Sequence, residues 1–227
     1  MERAEGVIKF VLEHRAGPPL LWSQVRELAA WRRTLWEARL VGQDAARYEG
    51  AGYGNVSRRL GPLERPPGRR RFVITGTQTG GLPALAPAHF AVVEAYDPAH
   101  NRVVSAGPIL PSSEAMTHGA VYDAAAEVRW VFHVHSPEIW QQARTLGVPA
   151  TRPDVPYGSP EMAAEVARLF RETQARRLGL FVMKGHEDGV VAFGATAEDA
   201  AAVLARYHEG ACRLTPCPVV YRGIMEA

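Results

Sequence analysis

The stretch "VRWVFHVHSPEIW", Val128 to Trp140, sets two histidines one residue apart in an apolar, partly β-branched run. Side chains alternate between the faces of a strand. That puts Val128, Trp130, Phe132 and Val134 on one face, and Arg129, Val131, His133 and His135 on the other. Same-face neighbours two residues apart stand roughly 6.5–7 Å from one another at Cα. From that separation two imidazoles can converge on one ion at about 2.0–2.1 Å each. Ser136-Pro137 ends the run, which predicts His135 at a sheet edge open to solvent and substrate. A lone histidine here would read as a hydrogen-bonded core residue; the pair predicts a metal site.

A third ligand is offered by "GLFVMKGHEDGVVAFG". Two apolar runs, Leu180 to Met183 and Val190 to Phe193, flank "KGHEDG", so His186 falls at a turn between strands. Glycine on both sides lets backbone approach closely. An ordinary solvated turn would carry the same residues. Glu187 and Asp188 either support a ligand imidazole from behind or face water. "PSSEAMTH" adds a carboxylate: Glu114 in the first turn of a helix, behind Ser112 and Ser113. Two hydroxyls and the free N–H groups of that helix end make an anion site, although a plain cap followed by an acid looks the same. His118, one turn further on, reads as structural.

The elements that must position these residues follow from period and punctuation. "WSQVRELAAWRRTLWEARL" is helical, with Val25, Leu28, Ala29, Leu35 and Trp36 at spacings of three and four. "EGAGYGNVSRRL" is a glycine-punctuated turn entering a strand, and "FVITGTQTGGLPAL" a strand breaking into a Gly/Thr loop. "FAVVEAYDPAHNRVVSAG" is a hairpin around Asp97-Pro98. "PSSEAMTHGAVYDAAAE" is a helix with Ser112 or Ser113 as cap. "SPEMAAEVARLFRETQARR" has Ser159 as cap and Pro160 at its first position. "TAEDAAAVLARYHEGACRL" starts at Thr196, with Glu198 and Asp199 favoured by the helix dipole. Helices alternating with hairpin-like strand pairs predict a layered α/β domain around a largely antiparallel sheet.

Composition narrows the function. The chain has 227 residues, 47% of them hydrophobic, enough for a sizeable core and read as a single domain over 1–227. A net charge of +2 gives no reason to expect nucleic acid or a membrane surface as partner. Of 26 basic residues only Lys9 and Lys184 are lysine, and the one dense basic run, "RPPGRRRF", reads as a solvated loop. Cys212 and Cys217 lack the second ligand pair of a zinc motif and are expected to be free thiols in a reducing cytoplasm. The opening "MERAEGVIKFVLEHRAG" reads as neither a signal peptide nor a membrane span. A cupin also uses His-x-His followed by glutamate, and Glu138 nearly fits, but at least four helical stretches argue against a barrel.

Four motifs in order, "GYGNVS", "VITGTQTGG", "PSSE" with "FHVHSP", and "MKGHEDGVVAFG", resemble the class II aldolase/adducin family from about Trp22 to Leu214. The resemblance implies a three-layer α/β/α sandwich. It implies one divalent metal per chain, most often zinc, on His133, His135 and His186, with Glu114 as acid/base. It assigns a substrate phosphate to Gly54, Asn55, Thr77 or Thr79, Gly80, Ser112 and Ser113. It further implies a homotetramer with the site at a subunit interface. Three sequence features depart from the family. The usual Asn-His-Gly turn is "GHEDG", and the usual "ITPSG" loop is "ITGTQTGG". A tyrosine that relatives supply from a neighbouring subunit has no counterpart; Asp154 stands at the matching distance, with Tyr157 nearby.

The chemistry fits the residues. Breaking a C–C bond beside a carbonyl leaves an enediolate, whose charge a chelated divalent cation stabilises as a Lewis acid. A carboxylate then moves the proton at carbon. Three neutral imidazoles leave the ion its full charge and open positions. The expected activity is metal-dependent cleavage of a small phosphorylated ketose, of the fuculose-phosphate type. An epimerase or a methylthioribulose-phosphate-type dehydratase is the alternative on the same scaffold. A non-catalytic, adducin-like interaction domain is the rival from another class, but it need not retain Glu114, His133, His135 and His186 together.

Overall fold

The computed structural model describes residues 6–215 and Cys217. The strands and helices, in chain order, are β1 (Val11–Ala16), α1 (Trp22–Glu37), β2 (Gly42–Gln43), β3 (Gly52–Tyr53), β4 (Asn55–Arg59), β5 (Phe72–Thr75), β6 (Phe90–Asp97) and β7 (Arg102–Gly107). There follow α2 (Ala115–Ala124), β8 (Trp130–His135), α3 (Pro137–Gln142), α4 (Pro160–Glu172), α5 (Ala175–Leu178), β9 (Leu180–Val182), β10 (Gly189–Gly194) and α6 (Ala197–Cys212). Eight strands form one sheet in the order β1-β7-β6-β5-β4-β8-β10-β9, while β2 and β3 pair separately. Every pairing in the large sheet is antiparallel except β1 with β7. The N-terminal stretch thus supplies a parallel edge strand that its charged composition does not announce.

The sheet separates two apolar layers, as the three-layer reading requires. On one side Leu28 and Leu35 of α1, Ile139 of α3 and Leu204 of α6 pack with Phe132 and Val134. On the other, Met116 of α2 and Met162 of α4 pack with Phe72, Ile74 and Val131. Strand β8 is buried along its whole length, because both its neighbours are paired and both its faces are covered by helices. Its alternation sends Trp130, Phe132 and Val134 to the α1/α6 layer and Val131 to the α2/α4 layer. Val128 does not join the first group: it precedes the strand and packs with Val131.

The caps follow local chemistry. Ser159 Oγ accepts from Met162 N, with Pro160 at the first helical position of α4. Thr196 and Asp199 close a reciprocal box at the start of α6. Helix α2 is capped one residue later than the serines suggest, at Glu114, whose N–H donates to Ser112 Oγ at 3.2 Å. The expectation of free thiols is overturned: Cys212 and Cys217 are joined by a disulfide, because the chain turns back beyond α6 and brings the two together. Among the described residues no helix is long and apolar enough to cross a membrane.

Candidate metal centre and anion cradle

Register brings the histidines together. His133 pairs across β8 with Asn55 of β4 and with Val191 of β10, and His135 pairs with Gly189. The β9–β10 turn therefore starts beside His135, and its His186 folds back over the pair. Ring centroids lie 5.1 Å apart for His133 and His135, 5.0 Å for His133 and His186, and 4.8 Å for His135 and His186. One nitrogen from each ring falls within 4.8 Å of the others. His133 Nδ1–H donates to the Val190 carbonyl at 3.3 Å, which turns Nε2 of a neutral ring toward the other two histidines. Gly185 makes the turn possible, since a Cβ there would lie 1.9 Å from the Val155 carbonyl oxygen.

His135 is not at an open edge. It ends a central strand, under Tyr48 and Tyr53, whose rings stand 4.6 and 5.3 Å from it. Exposure is 0% for His133, 1% for His135, 4% for His186 and 1% for Glu114. Among the described residues neither ring nitrogen of His135 has a hydrogen-bond partner. Buried polar atoms rarely go unpaired, so a divalent cation fits this donor set. Burial, reinforced by His186 and His133, holds the His135 imidazole well below its ordinary pKa and therefore neutral, the form that ligates.

Glu114 completes the cluster. Its Oε1 lies 3.3 Å from His186 Nδ1, at ion-pair distance. Burial alone would raise this carboxyl, but His133 and His186 outweigh it and hold it at about 2. His118 lies outside the trio of clustered imidazoles. Its Nδ1 bonds Ser57 Oγ at 2.6 Å, and that hydroxyl also meets Tyr122 OH at 2.7 Å. Asp188 accepts from Tyr48 OH at 2.7 Å and pairs with Arg47 at 3.5 Å. That grip holds Tyr48 over His135 although Tyr48 and Glu49 both have left-handed backbone, φ 49° and 57°, a conformation costing roughly 1–3 kcal/mol for each such residue.

Tyr48, Tyr157, His186 and Glu187 line a cavity of about 360 Å³ at the outer side of the cluster, with Lys9 and Asp154 at its rim. Tyr157 stacks on His186 at 4.7 Å. Neither Tyr48 nor Tyr157 is marked by a motif; Tyr48 is recognisable only as an aromatic just before "GAGYGNVS".

All seven residues assigned to phosphate, Gly54, Asn55, Thr77, Thr79, Gly80, Ser112 and Ser113, line one neighbouring cavity. It measures only about 20 Å³, and Gly6 and Gln78 also line it. Thr79 Oγ1 donates to the Gly76 carbonyl at 2.8 Å, so its hydroxyl proton is used within the loop. Gly80 lies against the β2–β3 pair, where a Cβ would meet the Gly42 carbonyl oxygen at 2.3 Å. Arg32, buried on α1, donates from one nitrogen to the carbonyls of Thr79 and Gly80, both at 2.8 Å, and also bonds Leu82 O. Burial brings its guanidinium down to about 10. Its signal was present in the sequence: it falls four residues after Leu28 on the apolar stripe.

Comparison with known proteins agrees with this architecture. The family described as Class II Aldolase and Adducin N-terminal domain matches residues 38–215. No curated protein matches the chain. Among solved structures, an L-fuculose 1-phosphate aldolase is 18% identical, with a TM-score of 0.60, 92% of this chain and 97% of that one covered. YgbL from Escherichia coli, described as aldolase, epimerase or decarboxylase without a choice among them, is 20% identical at TM-score 0.59, covering 90% and 96%. A sugar-phosphate aldolase from Thermotoga maritima is 18% identical at TM-score 0.60, covering 85% and 93%. At such identities these likenesses show the fold.

Proposed function

Because the chain belongs to the class II aldolase and adducin family, we propose that it is a single-domain, divalent-metal-dependent lyase that cleaves a phosphorylated ketose. The observation that carries this reading is the buried trio of imidazoles with the Glu114 carboxylate 3.3 Å from one of them. His133, His135 and His186 would hold the ion, and an all-imidazole set suits zinc. Bound there, a divalent cation supplies Lewis-acid stabilisation of the charge that develops when a C–C bond beside a carbonyl breaks.

The chain's own residues do the rest. Glu114, whose carboxylate lies 3.3 Å from His186, takes the proton and returns it at carbon. Tyr48 and Tyr157 wall the approach and keep bulk water from the rings. Ser112, Ser113, Asn55 and the backbone of Gly54 and Gly80 hold the phosphate, to which the start of α2 presents its N–H groups. A cradle of about 20 Å³ has room for roughly one water, so phosphate entry requires its lining to open. The same reading carries a cytoplasmic homotetramer, as the family resemblance implies.

The test is a screen of ketose phosphates for aldehyde release, with zinc and with chelator. We expect chelator-sensitive cleavage of at least one. Chelator-sensitive change of the sugar without aldehyde release would replace cleavage by epimerisation or dehydration. Equal turnover of an unphosphorylated ketose would remove the phosphate from the proposal.

A further inference from the structure

Away from the histidine trio, a second set of ligand-type side chains converges at the C-terminal end of α6. His208 and Cys212 stand four residues apart, on one helix face. Cys217 returns to the same point after the helix ends. One donor atom from each of the three lies within 4.8 Å of the others. Cys212 Sγ is 3.4 Å from His208 Nε2. On α3, Glu138 Oε2 lies 4.0 Å from His208 Nε2 and accepts a 2.9 Å bond from Ser136 Oγ.

We propose that His208, Cys212 and Cys217 form a second divalent-metal site, open only when the Cys212–Cys217 disulfide is reduced. Two thiolates and an imidazole make a soft, mixed donor set that selects zinc, with Glu138 beside the imidazole. The spacing supports a ligand role better than a stabilising one. A bridge across five positions closes a short loop, and short loops constrain the unfolded chain least.

The exchange balances. A dithiol or phosphine reductant supplies two electrons, and with two protons the S–S bond becomes two thiols. A zinc ion then displaces both thiol protons to solvent as the two Zn–S bonds form. A small-molecule disulfide reverses the sequence: it takes two electrons from the thiolates and leaves as two thiols, with protons from solvent, while the S–S bond re-forms and the ion is expelled.

The experiment is a zinc titration of the full chain, prepared without reductant and then with a phosphine reductant. We expect one equivalent per chain in the first state and a second in the reduced state. Cys217→Ser lies beyond α6 and should leave the fold intact; it should remove the second equivalent alone. His208→Gln should weaken it at least tenfold. In the reduced protein carrying cobalt, a thiolate-to-cobalt charge-transfer band should appear, and Cys217→Ser should abolish it. His133→Ala should remove the first equivalent and spare the second, so failure at one centre is separable from failure at the other. No second equivalent on reduction, or one that survives in Cys212→Ser/Cys217→Ser, overturns the proposal.

Discussion

Two of the clustered imidazoles ride on one central strand; the cradle beside them draws its lining from several turns and a helix start. His133 and His135 are fixed by the two-residue period of β8, which is paired on both sides. The cradle residues come from the β3–β4 junction, the loop after β5, and the start of α2. No single period fixes those distances. They depend on Arg32 tying down the carbonyls of Thr79, Gly80 and Leu82 and on glycines such as Gly80 that let backbone meet backbone. The strand-built half is buried and closely clustered, while the loop-built half encloses about 20 Å³, less than its proposed ligand fills.

That difference predicts a graded response to mutation. The largest effect should come from the strand: His135→Ala should reduce cleavage to background, since two remaining imidazoles form too few bonds to repay the ion's desolvation. His118→Ala, which breaks the bond to Ser57, should keep the ion and lose only stability. Next, Glu114→Gln preserves shape and removes the base; kcat should fall by roughly 10²–10⁴-fold with metal still bound. Near-normal turnover in that variant would pass the role to Glu187.

The cradle should answer in KM. Ser113→Ala combined with Asn55→Ala removes two bonds to a charged acceptor, each worth roughly 1.5–3 kcal/mol. KM for the phosphorylated substrate should rise by about 10²-fold or more, with kcat little changed, the mark of lost uniform binding. Steady-state kinetics decide it, and a fall in kcat alone would count against a binding role. Arg32→Met should act more weakly and at a distance. Each buried carbonyl left without its donor costs about 1–3 kcal/mol, so the melting temperature should drop and KM should rise with the metal retained.

The smallest effect lies outside both regions. Glu165 on α4 is buried and bonded to Arg168 at 2.8 Å, with Arg152 at 3.2 Å. The Arg168 bond, with help from Arg152 and against burial, holds its pKa below the ordinary carboxylate value. A depressed acid stabilises the fold above its unfolded pKa, about 4.3 for Glu, and that stability is lost as pH falls through the lower folded value. The gap in melting temperature between wild type and Glu165→Gln should therefore be full near neutrality and shrink in acid.

What could be read in the sequence follows the same division. The β8 faces, the hairpin β6–β7, the caps at Ser159 and Thr196, and the layering around a largely antiparallel sheet are local or periodic signals. The structure returns them with small shifts, at Val128 and at the cap of α2. The burial of His135 was not legible, because it depends on Tyr48 arriving from a distant loop and on Asp188 to hold it. The Cys212–Cys217 bridge was missed for a related reason: the return of the chain beyond α6 carries no motif. The parallel edge strand β1 has an exposed, charged pattern that only its partner β7 explains.

The most direct test of the account is the metal content of the chain purified without reductant, wild type beside His133→Ala. We predict about one divalent ion per wild-type chain and close to none in the variant, with both proteins folded by circular dichroism. Full occupancy in folded His133→Ala would contradict the claim that this strand holds the ion.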